Sequence, residues 1–265
     1  MTKKKMRLGS KIFLGLLMLF FYLPIIYTVI MSFNSTKSLT HFKGFSLQWY
    51  ERMLSNRTMM DAIWYTFVIA VLATVISTVI GTIAAIGLSK SKKIVQTVVE
   101  QINNLPIMNP EIVTAVGLLM LFSSLTFVEK GFMTLLLAHV MFCTPYVMLS
   151  VMPKLRTLDV NILDAAMDLG ATPWQALIKV IVPQIMPGII SGALIAFTMS
   201  FDDFVISYFV TGNGVNNISI LVWTMSKRIN PSINALSTII IVIITIGLLV
   251  VNFISIKKVK KENAK

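Results

Sequence analysis

The chain has 265 residues, of which 56% are hydrophobic, and a mean hydropathy of +0.82. A soluble domain is about 45–50% apolar, so the composition excludes an ordinary soluble protein and points to a multi-span membrane protein. The net charge of +12 does not imply a nucleic-acid partner, because no basic stripe with interleaved aromatics accompanies it.

Six apolar stretches approach the ~20 residues needed to cross ~30 Å of hydrocarbon. They predict an all-α integral membrane protein with six transmembrane helices, at about 12–32, 62–88, 107–126, 132–152, 188–209 and 233–255. With the N-terminus in the cytoplasm, beside Lys3, Lys4, Lys5 and Arg7, the inner segments hold 16 Lys and Arg and the outer segments 7. That bias places both termini in the cytoplasm by the positive-inside rule, so the basic excess reports topology. The first apolar run continues from Ile12 to Phe33, beyond the ~7–15 residues of a signal-peptide core, and reads as a retained span.

Pro24 favours a kink in the first span. The outer loop 34–61 is rich in aromatics, with a short helix expected from Leu47 to Leu54, and suits a lid or a docking surface. Trp49 in that loop could pack or offer a ring face to a cation. In the second span Ser77, Gly81 and Ala85 line one face, widened by Ala84 and Gly87, which predicts close packing inside the bundle. Ile94 to Leu105 is half polar, and Pro106 and Pro110 interrupt the segment that follows, with Glu111 immediately after the break. Irregular backbone at membrane depth is tolerated where it packs in protein or lines a cavity. The short loop Val128 to Gly131 makes spans three and four antiparallel neighbours. Cys143, the single cysteine, reads as a small buried residue, and His139 as a packed polar one.

Residues 153–187 are too polar for the bilayer and too patterned for a linker. Asp159 can cap a helix from about Val160 to Leu169, and Gly170 fits the left-handed position that ends one. Thr172 then caps a second helix with Pro173 first in it, and Gln175 completes a capping box. Trp174, Leu177, Ile178 and Ile181 form one apolar face, and Pro183 ends the helix. The expectation is helix, tight turn, helix, lying parallel to the membrane.

The order Asp164-Ala165-Ala166, Gly170 and a distal Pro183 resembles the "EAA" coupling loop of ABC-importer permeases, with Asp where that family usually has Glu. The resemblance implies an ABC type I importer permease fold, coupled to a separate ATPase through residues 159–183. Ala165, Ala166 and Gly170 would keep the turn slim enough to enter a cleft on the ATPase, and Asp164 would position it through polar contacts. Thr172 and Pro183 complete the expected coupling set.

Asp202 and Asp203 lie within the fifth span, where a carboxylate is costly and usually marks a pathway or a pair. No Lys or Arg lies in any span core. Successive helical residues point ~100° apart, so one acid can face the lumen while the other pairs or caps. Glu111 and Trp49 join them as substrate-path candidates; Glu111 could equally be a helix-start residue. A short helix near Leu221 to Ile229 is expected in the last outer segment.

Tyr22-Leu23-Pro24-Ile25, Asn109-Pro110-Glu111, Asp164 to Gly170, Ser200-Phe201-Asp202-Asp203 and Phe209-Val210-Thr211-Gly212 together look like the spermidine/putrescine (PotC-type) family of permeases. That family implies one permease domain over residues 1–265 in the bacterial cytoplasmic membrane. Its partners would be a second permease, two ATPase subunits, an extracytoplasmic substrate-binding protein and the lipid bilayer, with no nucleic acid. ATP and Mg would belong to the ATPase, and this chain would hold no cofactor and no metal. Two other readings stay open: an ABC permease for another small solute such as ferric iron or thiamine, and a proton-coupled secondary transporter. An enzyme is disfavoured: His41 and His139 lie on different segments, and neither a His-Glu-x-x-His motif nor a P-loop is present.

Overall fold

A computed structural model describes residues 8–125, 129–159, 161–212, 214–227 and 230–262. Among them the fold is all-helical, apart from an isolated bridge between Asn34 and Phe45. The helices are α1 Leu8–Ser32, α2 Gln48–Ser55, α3 Arg57–Ser89, α4 Lys93–Met108, α5 Glu111–Ser124, α6 Phe132–Arg156 and α7 Ile162–Asp168. They continue with α8 Pro173–Ala176, a π-helical turn Leu177–Ile181, α9 Val182–Asp202, α10 Val205–Val210, α11 Ile218–Ser226 and α12 Ser232–Glu262. Lys3, Lys4, Lys5, Arg7, Thr126, Val128, Val160 and Ile229, which enter the expectations above, lie outside the described residues.

Among the described residues four helical runs are long and apolar enough to cross a membrane: α1, α3, α6 and the continuous run Pro173–Asp202. The α4–α5 pair qualifies as a fifth, with a 101° bend between its halves. α12 is apolar over Ser232–Gly247. The break falls at Asn109 and Pro110, as their extended backbone shows, whereas Pro106 stays inside the last turn of α4.

The chain forms two compact units, one from residues up to Met60 and from Val222 onward, the other from Asp61–Leu221. In the first unit α12 packs on α1 and α2. Its loop is organised around buried Asn34, whose amide nitrogen donates to Ser38 O and His41 O at 2.9 Å.

The second unit is built on α6. Leu135, Ala138, Phe142, Cys143, Val147 and Val151 recur at helical spacing and are buried. Cys143 is fully enclosed, its thiol 3.4 Å from Ala196 O. α9 runs along α6, and α3 approaches it closely. A Cβ at Gly81 would stand 2.9 Å from the Val147 side chain, and one at Gly192 would stand 3.0 Å from Val147 Cα. Small residues let these backbones approach. Ser77, Gly81 and Ala85 are buried as expected, but Ala84 and Gly87 are exposed, so the small face is narrower than predicted.

Two further expectations are corrected. The fifth span is not continuous over 188–209: α9 ends at Asp202, Asp203 is extended (φ −64°, ψ 126°), and α10 restarts the helix. The cause is local, because the Asp203 carboxylate takes the N–H groups that open α10. Spans three and four are not each other's main neighbours either. The short α10 produced by the break packs on both α5 and α6, and it is the principal neighbour of α5.

Candidate functional site

The polar segment after α6 folds as a compact turn. α7 ends in a Schellman motif, with Ala171 N–H bonded to Ala166 O at 3.1 Å and Gly170 N–H to Met167 O at 2.9 Å. Gly170 sits at φ +85°, where a Cβ is disfavoured. Thr172 Oγ1 accepts from Gln175 N–H at 3.3 Å, and Gln175 Oε1 accepts from Thr172 N–H at 3.1 Å. That is the expected capping box, with Pro173 in the first turn.

Three details differ from the sequence reading. Asp159 does not cap α7; its Oδ1 accepts from Asn161 N–H at 2.9 Å in a local turn, and α7 begins at Ile162. Pro183 does not end the second helix. It lies in the first turn after the π-helical segment, where a missing N–H costs little. The second helix is therefore continuous with α9 rather than a separate surface helix. The apolar face also divides: Ile181 is buried and Leu177 packs on the core, while Trp174 and Ile178 are exposed. The wider π turn shifts the register between the two pairs.

On α7, Ile162 and Leu163 pack against the core and turn the other face of the helix outward. Asp164, Ala165, Asp168, Leu169 and Gly170 are exposed on that side. Leu169, which the sequence reading passed over, is 90% exposed beside the glycine turn. A slim tip with acids on one side and an exposed leucine at its end can enter a cleft on another protein.

The second feature is a cavity of about 260 Å³ in the second unit. Glu111, Asp202 and Asp203 contribute to its lining, with the aromatic residues Phe142, Tyr146 and Phe204. Among the described residues no Lys, Arg or His lines it. Glu111 enters as the first residue of α5, immediately after the bend, and Asp202 as the last residue of α9. Both are exposed, and no hydrogen bond or ion pair within the chain engages either carboxylate among the described residues. The two helix breaks thus bring together two acids 91 positions apart in sequence.

Asp203 has a different environment. It is buried, and its carboxylate accepts from Ile206 N–H at 3.3 Å, Ser207 N–H at 2.7 Å and Ser207 Oγ at 2.7 Å. Ser207 Oγ in turn lies 3.0 Å from His139 Nε2 and accepts from Asn217 Nδ2 at 2.8 Å. His139 Nδ1 is 2.6 Å from Ser200 Oγ. Sequence reasoning placed His139 as a packed polar residue but missed this network, whose members lie 61 and 68 residues from it. The one available signal was the Asp203-x-x-x-Ser207 spacing, which suits a helix start.

Trp49 belongs to the first unit. It is buried, its indole N–H donates to Asn34 O at 2.6 Å, and the Arg52 guanidinium lies 4.8 Å from its ring centre. The buried ring is therefore already matched to a cation of the chain itself. Among the described residues no cluster of His, Cys, Asp and Glu could hold a metal ion.

Residues 77–261 match the family described as binding-protein-dependent transport system inner membrane component. The putrescine transport system permease protein PotI of Escherichia coli K12 is 40% identical over 229 residues, which covers 84% of this chain and 82% of that protein. The spermidine/putrescine transport system permease protein PotC of Haemophilus influenzae is 39% identical over 225 residues, covering 84% and 87%. PotC of E. coli K12 is 34% identical over 242 residues, covering 91% of each chain. Among solved structures, a chain of a bacterial ABC transporter that imports the acidic polysaccharide alginate superposes with a TM-score of 0.72 at 17% identity. The match covers 91% of this chain and 94% of that one, and it establishes a shared fold.

Proposed function

We propose a function from one premise: the chain belongs to the family of binding-protein-dependent transport system inner membrane components. It is the permease subunit of an ABC importer, a multi-pass protein of the bacterial plasma membrane. It is not itself an enzyme, because ATP hydrolysis in such importers belongs to a separate subunit. Its partners include that ATPase and a substrate-binding protein.

The proposed cargo is a polyamine, spermidine or putrescine. The observation that carries this is the cavity: two carboxylates with no internal partner, three aromatic rings and no basic residue among the described residues. A flexible polycation leaving water needs negative charge and ring faces in place of its hydration. It must also leave again, which a pair of dispersed acids permits better than a closed cage. Asp202 and Glu111 would contact the cargo, while Asp203 holds the site's backbone. The names of the relatives support the same cargo.

In this reading residues 1–265 act as one permease domain with six spans and both termini in the cytoplasm; the α4–α5 pair and α12 supply the two spans beyond α1, α3, α6 and α9. The assembly holds a second permease, two ATPase subunits carrying ATP and Mg, and an external binding protein. The coupling tip, with Asp164, Ala165, Ala166, Gly170, Thr172 and Pro183, docks into the ATPase. Closure of the ATPase dimer on ATP turns the permease pair outward-open, and hydrolysis resets it inward. The test is to assemble the complex with Asp202→Asn and with Glu111→Gln, then measure uptake of labelled spermidine. Loss of uptake with the ATPase still bound is expected; unchanged kinetics in both variants would remove the acids from the path.

A further inference from the structure

We propose that His139 is a positioning residue for transport: by fixing Ser207 and Asp203 it holds the break in span five that leaves Asp202 free in the cavity. This rests on the reading of Asp202 as a cargo contact.

Four observations point the same way. First, the break needs something to hold it. No Pro or Gly lies between Met199 and Tyr208, so no residue in that stretch is a helix breaker by its backbone alone. The Asp203 carboxylate does it instead, by taking the N–H groups of Ile206 and Ser207.

Second, the hydrogen bonds around Asp203 have a direction. The single hydroxyl proton of Ser207 goes to Asp203 Oδ2 at 2.7 Å. Ser207 Oγ can then only accept, from Asn217 Nδ2 at 2.8 Å and from His139 Nε2 at 3.0 Å. That assigns the ring proton to Nε2 and leaves Nδ1 to accept from Ser200 Oγ at 2.6 Å. His139 therefore grips both sides of the break: Ser200 is the third residue before Asp203, and Ser207 is the fourth after it.

Third, the grip is anchored. His139 is 1% exposed on α6, the core helix of its unit, and its ring lies against Phe142 at 5.2 Å between centres. Thr134, five residues before it on α6, donates to Val210 O at 2.8 Å and ties down the far end of α10. Asn217 also donates to Asp203 O at 2.9 Å, so the extended residue is held through its backbone as well.

Fourth, the geometry divides the two adjacent acids. Asp203 spends its carboxylate on three donors, and Asp202 spends none. Were α9 to continue through Asp203, the α10 residues would rotate and the lining by Phe204, Val205 and Ile206 would be lost. His139 never reaches the cavity and acts only through this arrangement.

The experiment is a double-mutant cycle in the assembled importer, with initial uptake of labelled spermidine and ATP hydrolysis measured together. His139→Leu removes both ring nitrogens, Asp202→Asn removes the free acid, and the double variant closes the cycle. His139→Leu is expected to lower uptake per ATP about 5- to 100-fold, the range for losing a buried hydrogen-bond partner, with assembly and ATP hydrolysis retained. His139→Gln, which keeps a donor, should recover part of the loss. The double variant should transport no worse than Asp202→Asn alone. If His139→Leu multiplies the defect of Asp202→Asn in full, the two act independently; the positioning role is overturned and the path assignment stands. If Asp202→Asn alone is silent, the path assignment falls and the positioning role with it. Wild-type uptake in His139→Leu overturns the positioning role outright. Should His139→Leu fail to assemble, Ser200→Ala, which frees only the Nδ1 side, enters the same cycle under the same decisions.

Discussion

Replacing Gly170 by alanine separates backbone conformation from side-chain bulk at the coupling tip. Gly170 has φ +85°, and a Cβ built there meets nothing within 4 Å. The added methyl therefore costs no packing, only the left-handed conformation, about 1–2 kcal/mol for an L-residue with a Cβ. That corresponds to a factor of about 5–30 in the ratio of turned to unturned form. Asparagine visits this region more readily and should cost less. If the ATPase grips the turn as folded, its apparent affinity for the permease falls by up to the same factor, since it follows the fraction in the turned form. The assay is binding of the isolated ATPase subunit to the assembled permease pair in detergent. Gly170→Ala should weaken binding by up to about 30-fold, Gly170→Asn less, and Gly170→Arg should abolish it while the chain still inserts. Wild-type binding by both the Ala and Arg variants would refute the coupling assignment. Equal losses in Ala and Asn would refute its backbone origin.

Three further outcomes are expected. Gly81→Leu forces a side chain into the 2.9 Å contact with Val147 and the 3.1 Å contact with Thr144 O; overpacking of this kind costs about 1–3 kcal/mol, and thermal melting in detergent should fall accordingly, whereas Gly87→Leu, with nothing within 4 Å, should melt as the wild type does. Asp203→Asn removes the carboxylate that takes Ile206 and Ser207; it should lower thermal stability by about 1–3 kcal/mol, while Asp202→Asn, with no internal partner, leaves stability unchanged. Topology is open to labelling because the single cysteine, Cys143, is buried and silent; Ser10→Cys should react only with a reagent supplied from the cytoplasmic side, and reaction from outside would reverse the assignment.

The parts legible in the sequence are those written in neighbouring residues. Thr172, Pro173 and Gln175 specify a helix start within four positions, and Gly170 marks a left-handed stop that no tertiary contact is needed to explain. The stop at Pro110 was equally local. The errors lie where a local signal met a tertiary one. Pro183 reads as a terminator, yet the π turn before it absorbs the missing donor and the helix runs on. Trp174 and Ile178 share an apolar stripe with Leu177 and Ile181 on an ideal helix, but that same turn sends the pairs in different directions. The break in span five was not placed because two adjacent carboxylates left open which one faces the lumen and which one pairs or caps. The Asp203-x-x-x-Ser207 spacing hints that Asp203 rather than Asp202 opens a helix, and the approach of His139 from another helix, 61 residues from Ser200, is what the sequence could not show.

The central claim, that this permease moves polyamines under ATP power, is tested most directly by uptake. The chain, assembled with its partner subunits and loaded binding protein in sealed vesicles, should accumulate labelled spermidine or putrescine saturably, and only when ATP is present. Assembly with an active ATPase but no accumulation of either polyamine would contradict the cargo, and accumulation driven by a proton gradient without ATP would contradict the mechanism.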